Sequence, residues 1–360
     1  MFTFIKKILL APNTILPKKL KIEVIKNRKD WNAFLSLVGV YDTYHTYEYH
    51  IISKSDNETP ILLKYEDSNV LIGIPFLIRN IKGTQYKDLT SVYGYAGPIS
   101  KGVTADFDNS TFIRKIAKFL KSNNFVSAFS RLNPFIPNQS RILNDLGQIV
   151  TRGQVVNIDI TKNIEAQRSH YQRRLRTYIN KSRRNCEVKS GTTKKDLKEF
   201  ISIYYENMKK VDADGFYFFD ELYFEKLFSS KDFTTEILLA IDKDTNKTIA
   251  GCLFMISNGI VQYHLSGTRN AFLDKAPTKL LIDEMRIMAT NNGYSFFNLG
   301  GGIGGNFDDS LFRFKSTFSK DFKDFNLWKV IINLDVYSAL VFKAKTIENF
   351  EYFPMYRSNK

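Results

Sequence analysis

The chain has 360 residues, 43% hydrophobic and 14% aromatic, enough to fill two ordinary cores and too apolar for a disordered protein. Its two cysteines, Cys186 and Cys252, exclude a disulfide framework and a zinc quartet and fit a reducing compartment. A formal net charge of +15 points to polyanionic partners: nucleic acid, nucleotide- or lipid-linked phosphate, or an anionic membrane face.

Residues 1–20, beginning "MFTFIKKILLAPNTILPKK", are basic with short apolar stretches broken by lysines. That pattern is no signal peptide, and no run anywhere approaches the ~20 apolar residues of a membrane span. A frayed basic end is expected there, with an amphipathic segment resting on a membrane surface as the alternative. From residue 21 the aromatic stretch "YDTYHTYEYH" comes first, then "ILLKYEDSNVLIGIPFLIRN" (Ile61 to Asn80), which reads as a hairpin. "VYGYAGPIS", the helical "TFIRKIAKFLK" and the strand "NNFVSAFSRL" follow. A boundary is expected near Gly153, with "VVNIDI" (Val155 to Ile160) as the strand that opens a second half. Next come a helix from Ala166 running into a basic turn, a helix from near Thr193, and the aromatic "FYFFDELYFEKLF". "ILLAIDKDTNKTIAGCLFMISN" (Ile237 to Asn258) repeats the first hairpin with two extra loop residues. "NNGYSFFNLG" (Asn291 to Gly300) repeats "NNFVSAFSRL", each after a helical pattern. Two matches in the same order indicate duplication. The expected organisation is a first domain at 21–152, a second at 153–345 and a tail at 346–360.

The strand "IVQYHLSG" feeds a loop and then a helix that opens at Pro277, a favoured first-turn position. Unpaired N–H groups at such a terminus attract anions, and Gly267, Thr268, Arg269, Asn270 and Lys275 lie before it. An ordinary strand-to-helix connection is the competing reading. Between Arg168 and Lys189 stand eight basic residues, of which Arg173, Arg176 and Lys181 share a helix face. They suit a diphosphate-linked acceptor or an RNA backbone, against the plainer reading of a solvated helix face. Tyr47, Tyr49, Tyr217 and Tyr223 are candidates to line an acceptor groove. Tyr263 and His264 point to opposite strand faces. The four histidines lack ligand spacing, so no metal site and no bound cofactor are expected. "NLGGGIGG" lacks the Gly-Lys-Ser/Thr ending of a phosphate loop, so its glycines mark close backbone approach or a tight turn. Taken alone, Arg313, Lys315 and Lys320 read as an alternating basic surface strand.

"YHLSGT", "AP-KLL-DEM", "GYSFFNLGGG", "DSLFRFKSTFS" and "WKVIINLDVYSAL" together resemble the Fem-type (FemAB-like) branch of the GNAT superfamily, over about Val155 to Phe342. The first half is weaker but consistent, since that family carries two copies of the unit. The resemblance implies a mixed α/β fold: two tandem GNAT-like domains, each a mixed, mostly antiparallel sheet flanked by helices. It implies an N-acyltransferase, with the donor's acyl arm between splayed strands at Ile260 to Ser266 and Ser295 to Leu299. Donor contacts would come from Leu265, Gly267, Thr268, Arg269, Gly300 and Gly301, and an N–H near Leu265 to Gly267 would polarise the carbonyl. Lys315 would stabilise the charged transition state beside Phe314, with His264 either relaying a proton or serving structure. Phe314, Tyr263, the four groove tyrosines, Arg173 and Arg176 would face the substrates. The co-substrate is acyl-CoA or aminoacyl-tRNA, and the acceptor an amine on a UDP-sugar or lipid-linked cell-envelope precursor. "GTRNAFLDKAP" departs from the glycine-rich pyrophosphate loop of the coenzyme A branch, which weighs against ordinary coenzyme A binding and leaves aminoacyl-tRNA open. The long helical arm of some Fem-type ligases is also missing, which leans the expectation to an acyl-CoA or related thioester in surface-polysaccharide assembly. The expected location is cytoplasmic, with peripheral contact to the inner membrane face and tRNA as optional partners. A non-catalytic nucleic-acid or membrane-surface binding protein of the same fold is the alternative, supported by charge alone.

Overall fold

The computed structural model describes residues 21–302, 309–344 and 352–358. The N-terminal basic segment, Gly304, Gly305 and the expected boundary at 345 lie outside the described residues. The first half runs β1 (Glu23–Ile25), α1 (Arg28–Val38), α2 (Tyr47–Ser53), β2 (Glu58–Asp67), β3 (Val70–Asn80), β4 (Lys87–Thr90), β5 (Ile99–Lys101), α3 (Ser110–Ser122), β6 (Phe125–Arg131) and α4 (Gln139–Leu143). β7 (Gln148–Asp159), α5 (Ile164–Ser169), α6 (Arg173–Asn185), β8 (Cys186–Ser190), α7 (Lys194–Lys210) and α8 (Glu221–Phe228) follow. The chain continues as β9 (Thr234–Asp242), β10 (Thr248–Ser257), β11 (Ile260–Thr268), α9 (Pro277–Asn291), β12 (Phe296–Gly300), α10 (Ser310–Lys315), β13 (Asp321–Ile331) and α11 (Leu334–Lys343).

Local chemistry accounts for these boundaries. The Thr193 hydroxyl accepts from Asp196 N at 3.1 Å while the Asp196 carboxylate accepts from Thr193 N at 3.1 Å, a reciprocal cap that starts α7. In α3, Phe112, Ile116 and Leu120 recur at four-residue spacing and are all buried. The basic run expected as one helix breaks into α5 and α6. Tyr171 is driven into the core at the break, its hydroxyl donating to Asp283 at 2.9 Å.

Among the described residues the strands form one sheet, in the order β1-β2-β3-β4-β6-β13-β7-β12-β11-β10-β9-β8, with β5 paired to β3 outside that path. The list is symmetric about its centre. The hairpins β2–β3 and β9–β10 occupy matching places, and β4/β6 and β11/β12 are the parallel pairs of an otherwise antiparallel sheet. The central strands are exchanged. β7 follows the first half in sequence but pairs with β12, whereas β13 follows β12 and pairs with β6. β7 and β13 also pair with each other, from Asp321↔Asn157 to Lys329↔Gln148.

Side-chain alternation in the second half divides the core between two faces. Leu238, Ala240, Cys252 and Phe254 pack with Leu175 and Ile179 of α6 and Leu281 of α9. Ile237, Leu239, Leu253 and Met255 pack with Phe200 and Tyr204 of α7 and Phe224 of α8. Each such apolar side chain contributes about 1.5–3 kcal/mol on burial. α9 and α7 therefore stand on opposite sides of the strands that carry the candidate site.

Candidate active site

The parallel pairing of β11 and β12 is short. It covers Ile260↔Phe296, Val261↔Phe297 and Gln262↔Asn298 and then stops, although β11 continues to Thr268. Just beyond the last pair β11 carries one extra residue, so that Leu265 and Tyr263 oppose adjacent residues of β10 and His264 is the bulge. The two strands diverge from there and leave a wedge.

Lys315 closes one end of the wedge. Instead of lying on a surface strand, it ends the short helix α10, which starts at Asp309; that carboxylate accepts from Phe312 N at 3.0 Å. Phe312 anchors α10 to the core, so Lys315 turns inward and is only 8% exposed. Its Nζ donates to Gly301 O at 2.7 Å. Burial pulls its pKa from 10.5 down to about 8, with Asp309 opposing the shift. Gly300 has φ +78°, and a Cβ there would stand 3.1 Å from Lys315 Nζ and 3.4 Å from the Tyr95 hydroxyl. The glycine thus serves both backbone conformation and access to the ammonium.

A buried polar chain ties the last β11/β12 pair, where the wedge begins, to the first half. The Asp42 carboxylate accepts from Thr43 N at 2.6 Å, Asn133 Nδ2 at 2.7 Å and Gln262 Nε2 at 2.6 Å. Gln262 Oε1 accepts from Asn298 Nδ2 at 2.8 Å, and Asn298 Oδ1 accepts from Gly300 N at 2.8 Å. The chain joins both halves to the last β11/β12 pair and to the turn below Lys315. Burial raises Asp42 to about 7, opposed by its hydrogen bonds.

On the α7 face the structure gathers Tyr49, Tyr217, Tyr223 and His264, with Tyr93 beside them. The Tyr49 hydroxyl donates to Tyr93 O at 2.9 Å, the Tyr93 and Tyr217 hydroxyls are 3.4 Å apart, and the Tyr223 hydroxyl meets His264 Nε2 at 2.8 Å. Tyr47 is not part of this cluster; it packs edge-on against Trp31 at 5.6 Å. Burial pushes His264 down to about 4, leaving a neutral imidazole that is a weak base. Tyr263 points to the α9 face and its hydroxyl bonds Ser266, whereas Leu265 packs on the α7 side.

The α9 face carries the rest of the sequence candidates. Thr268, Pro277, Thr278, Lys279 and Phe314 line a cavity of about 120 Å³ at the α9 N-terminus, where Thr268 and Thr278 hydroxyls are 2.6 Å apart. Two cations expected before that helix are matched by carboxylates. Arg269 bonds Glu199 at 2.6 Å and Glu206 at 3.0 Å, and Lys275 is bracketed by Asp242 and Asp244. Gly267 lets α7 approach, since a Cβ would lie 2.7 Å from Ile203 O. The basic run divides in two. Arg168 and Arg183 hold the buried Asp283 at 3.3 and 3.0 Å. Arg173, Arg174, Arg176, Lys181 and Arg184 stay exposed on α6, which packs on α9. Arg173 and Arg176 are therefore on the opposite side of the sheet from the tyrosine cluster.

A larger cavity of about 520 Å³ lies between α4 and β13, in the first-half position matching the space between α10 and β7. Its lining includes Asn133 of the polar chain and Phe322, whose ring packs against that of Phe312 at 5.5 Å. There Gln139 donates to Ala96 O and Pro98 O, both at 2.9 Å, and its Oε1 accepts from Asn133 N at 2.8 Å, stitching shut the gap that the second half leaves open. Sequence reasoning passed over Asp42, Asn133, Gln262 and Asn298, and placed Tyr95 only as part of "VYGYAGPIS", a segment expected to face the cleft between the domains. The available signal was a lone amide inside each apolar strand, "IVQYHL" and "FFNLG"; an amide buried there needs partners.

Residues 230–325, from the approach to β9 through Lys315 into β13, match the FemAB family model. The chain therefore shares with the FemAB family the segment that carries the wedge strands and Lys315. Among solved structures it is similar to the crystal structure of FemX, at 13% identity and TM-score 0.67, over 88% of this chain and 99% of that one. L-PGS from Bacillus licheniformis gives 15% identity and TM-score 0.56, over 88% and 96%. The C-terminal domain of a putative lysylphosphatidylglycerol synthetase from Agrobacterium fabrum gives 13% and 0.52, over 88% and 95%. These identities establish a shared fold. No curated protein sequence matches the chain. No helix among the described residues is long and apolar enough to cross a membrane.

Proposed function

We propose that this Fem-type chain is an N-acyltransferase that moves an aminoacyl group from aminoacyl-tRNA to an amine on an anionic, nucleotide- or lipid-linked cell-envelope precursor. The observation that carries the reading is Lys315, a buried ammonium with a backbone carbonyl as its hydrogen-bond partner, at one end of the wedge between β11 and β12. In the reaction the acceptor nitrogen attacks the ester carbonyl carbon and a C–N bond forms. The C–O bond to the ribose breaks, and the proton lost from nitrogen ends on the ribose oxygen. The negative charge that builds on the carbonyl oxygen is what a fixed ammonium stabilises. His264, held neutral at about 4, is a weak candidate to take the proton, and supports the wall of the acceptor cleft through Tyr223.

Charge placement on the α9 face favours tRNA over coenzyme A. Arg269 and Lys275, which precede the α9 N-terminus, already have carboxylate partners, and Lys279 in its first turn lies over the Tyr178 ring at 4.2 Å. The exposed cations instead run along α6 from Arg173 to Arg184, about 16 Å at the helical rise. Such a stripe suits a phosphodiester backbone. The similarity to FemX and to lysylphosphatidylglycerol synthetase folds supports an envelope acceptor. The test is incubation with charged tRNAs and, separately, acyl-CoAs, in the presence of UDP-sugars and lipid-linked precursors, with mass spectrometry of the acceptors. A mass gain of an aminoacyl residue is expected with charged tRNA; a gain with acyl-CoA alone overturns the donor assignment.

A further inference from the structure

Arg131 ends β6 on the side of the sheet that bears the tyrosine cluster. Its guanidinium lies 5.4 Å from the Tyr93 ring centre and 5.3 Å from that of Phe129. Other half-buried arginines of the chain have carboxylates: Arg79 and Arg357 share Asp88, Arg168 has Asp283 and Arg269 has two glutamates. Arg131 has none among the described residues, and no hydrogen bond from its guanidinium is found there either. Its electrostatic neighbours are tyrosines: Tyr93, Tyr95, Tyr217 and Tyr352. A half-buried cation with no counter-charge among the described residues lacks the compensation that buried charges otherwise require. Burial accordingly lowers its pKa from the ordinary value.

The surroundings are built from both halves. Tyr217, from the segment between α7 and α8, brings its hydroxyl to 3.4 Å from that of Tyr93, and Phe216 packs edge-on against the Tyr93 ring at 5.4 Å. Tyr95 reaches from the same loop as Tyr93 to Gly300 beside Lys315. An anion at Arg131 thus sits two residues along one loop from the reacting end of the wedge, on the face opposite the α6 stripe.

We propose that Arg131, with the hydroxyls of Tyr93 and Tyr217, forms a binding subsite for one oxyanion of the acceptor, a phosphate or a carboxylate. The planar fork of the guanidinium matches either group through two parallel N–H···O bonds, and the rings at its sides keep it flat and partly dry. The assignment rests on the acceptor entering from the tyrosine face, as in the proposed function, but not on the identity of the donor.

Isothermal titration with two probes, uridine diphosphate for the phosphate source and N-acetyl-L-alanine for the carboxylate source, needs no acyl donor and stands apart from any turnover assay. One probe is expected to bind wild type. Arg131→Gln should then weaken it about tenfold or more, as for a lost charged hydrogen bond. Arg114→Gln, on the exposed side of α3, should leave it unchanged. If Arg131→Gln fails to fold by circular dichroism, Arg131→Lys, which keeps the charge but not the fork, is expected to weaken binding about threefold or more. Failure of both probes to bind wild type, or equal affinity in the folded variant, overturns the subsite. Failure of charged tRNA as donor would overturn the earlier reading and leave this result in place.

Discussion

The ammonium of Lys315 makes the most exacting prediction, because its environment sets both a magnitude and a pH. Lowering the pKa from 10.5 to about 8 corresponds to about 3 kcal/mol of lost hydration. An oxyanion forming beside Nζ recovers energy of that order, and removal of one preplaced oxyanion donor commonly lowers kcat by about 10²–10³. Lys315→Met, close in length and without charge, should fall by that factor while the donor KM changes little. The sign of the pH effect follows from which form works. If the ammonium is the working form, it is complete below about pH 7 and disappears above about pH 8, costing roughly tenfold per pH unit. Lys315→Arg stays charged throughout and serves as the reference. Titration of the acceptor amine affects both proteins alike and cancels in their ratio. Single-turnover transfer of labelled amino acid from charged tRNA, measured from pH 6.5 to 10 and corrected for enzyme-free ester hydrolysis, should show the wild type to Lys315→Arg ratio flat and then falling above about pH 8. A ratio that rises through pH 8 would make Lys315 a neutral base, and a Lys315→Met enzyme within tenfold of wild type would remove it from catalysis.

Gly300→Ala places a Cβ at positive φ and 3.1 Å from Lys315 Nζ; a stability loss of about 1 kcal/mol and at least a tenfold loss in kcat are expected by denaturation and turnover. His264→Gln should cost less than tenfold in kcat across pH 6–8, since an imidazole titrating at about 4 contributes little as a base; a hundredfold loss would restore it as a proton relay. Asp42, raised from 3.8 to about 7, binds its proton more tightly folded than unfolded. Its share of stability is therefore present below about pH 4 and declines as pH rises to 7, by at most about 4 kcal/mol. In urea titrations the advantage of wild type over Asp42→Asn should narrow between pH 4 and 7, and a widening gap would refute a neutral Asp42. Arg173→Gln with Arg176→Gln should weaken tRNA binding and lower the slope of log K against log salt by about 2, and an unchanged slope would take α6 out of the donor site.

The duplication was readable because the hairpin at Ile61 to Asn80 and that at Ile237 to Asn258 keep the same alternation, and each hairpin is local. The proline that starts α9 was readable for the same reason, whereas the splayed pair at β11 and β12 came only from the family resemblance. The exchange of β7 and β13 was not, because it joins Leu327 to Arg131 across the chain, and no short pattern encodes a pairing of that span. Lys315 was visible only through the "RFK" resemblance; the alternation of Arg313, Lys315 and Lys320 argued for a strand, and the Asp309 cap with buried Phe312 made a helix instead. The basic run looked uniform in sequence, but Asp283 in the distant α9 gives Arg168 and Arg183 an acidic partner that the other cations of α6 lack among the described residues. Arg131 gave no signal at all, since what distinguishes it is the lack of a carboxylate partner among the described residues.

The exchanged strands also bear on how the chain is made. On the ribosome the first half emerges complete except for one edge: β6 has no antiparallel neighbour until residues 321–331 have been synthesised. Growth at about 5–20 residues per second leaves that edge bare for roughly 10–40 s. An unpaired strand edge invites pairing with other chains. A nascent chain of this design is a natural client for chaperones during that interval, and expression of the first half alone, with β6 permanently open, should yield aggregates.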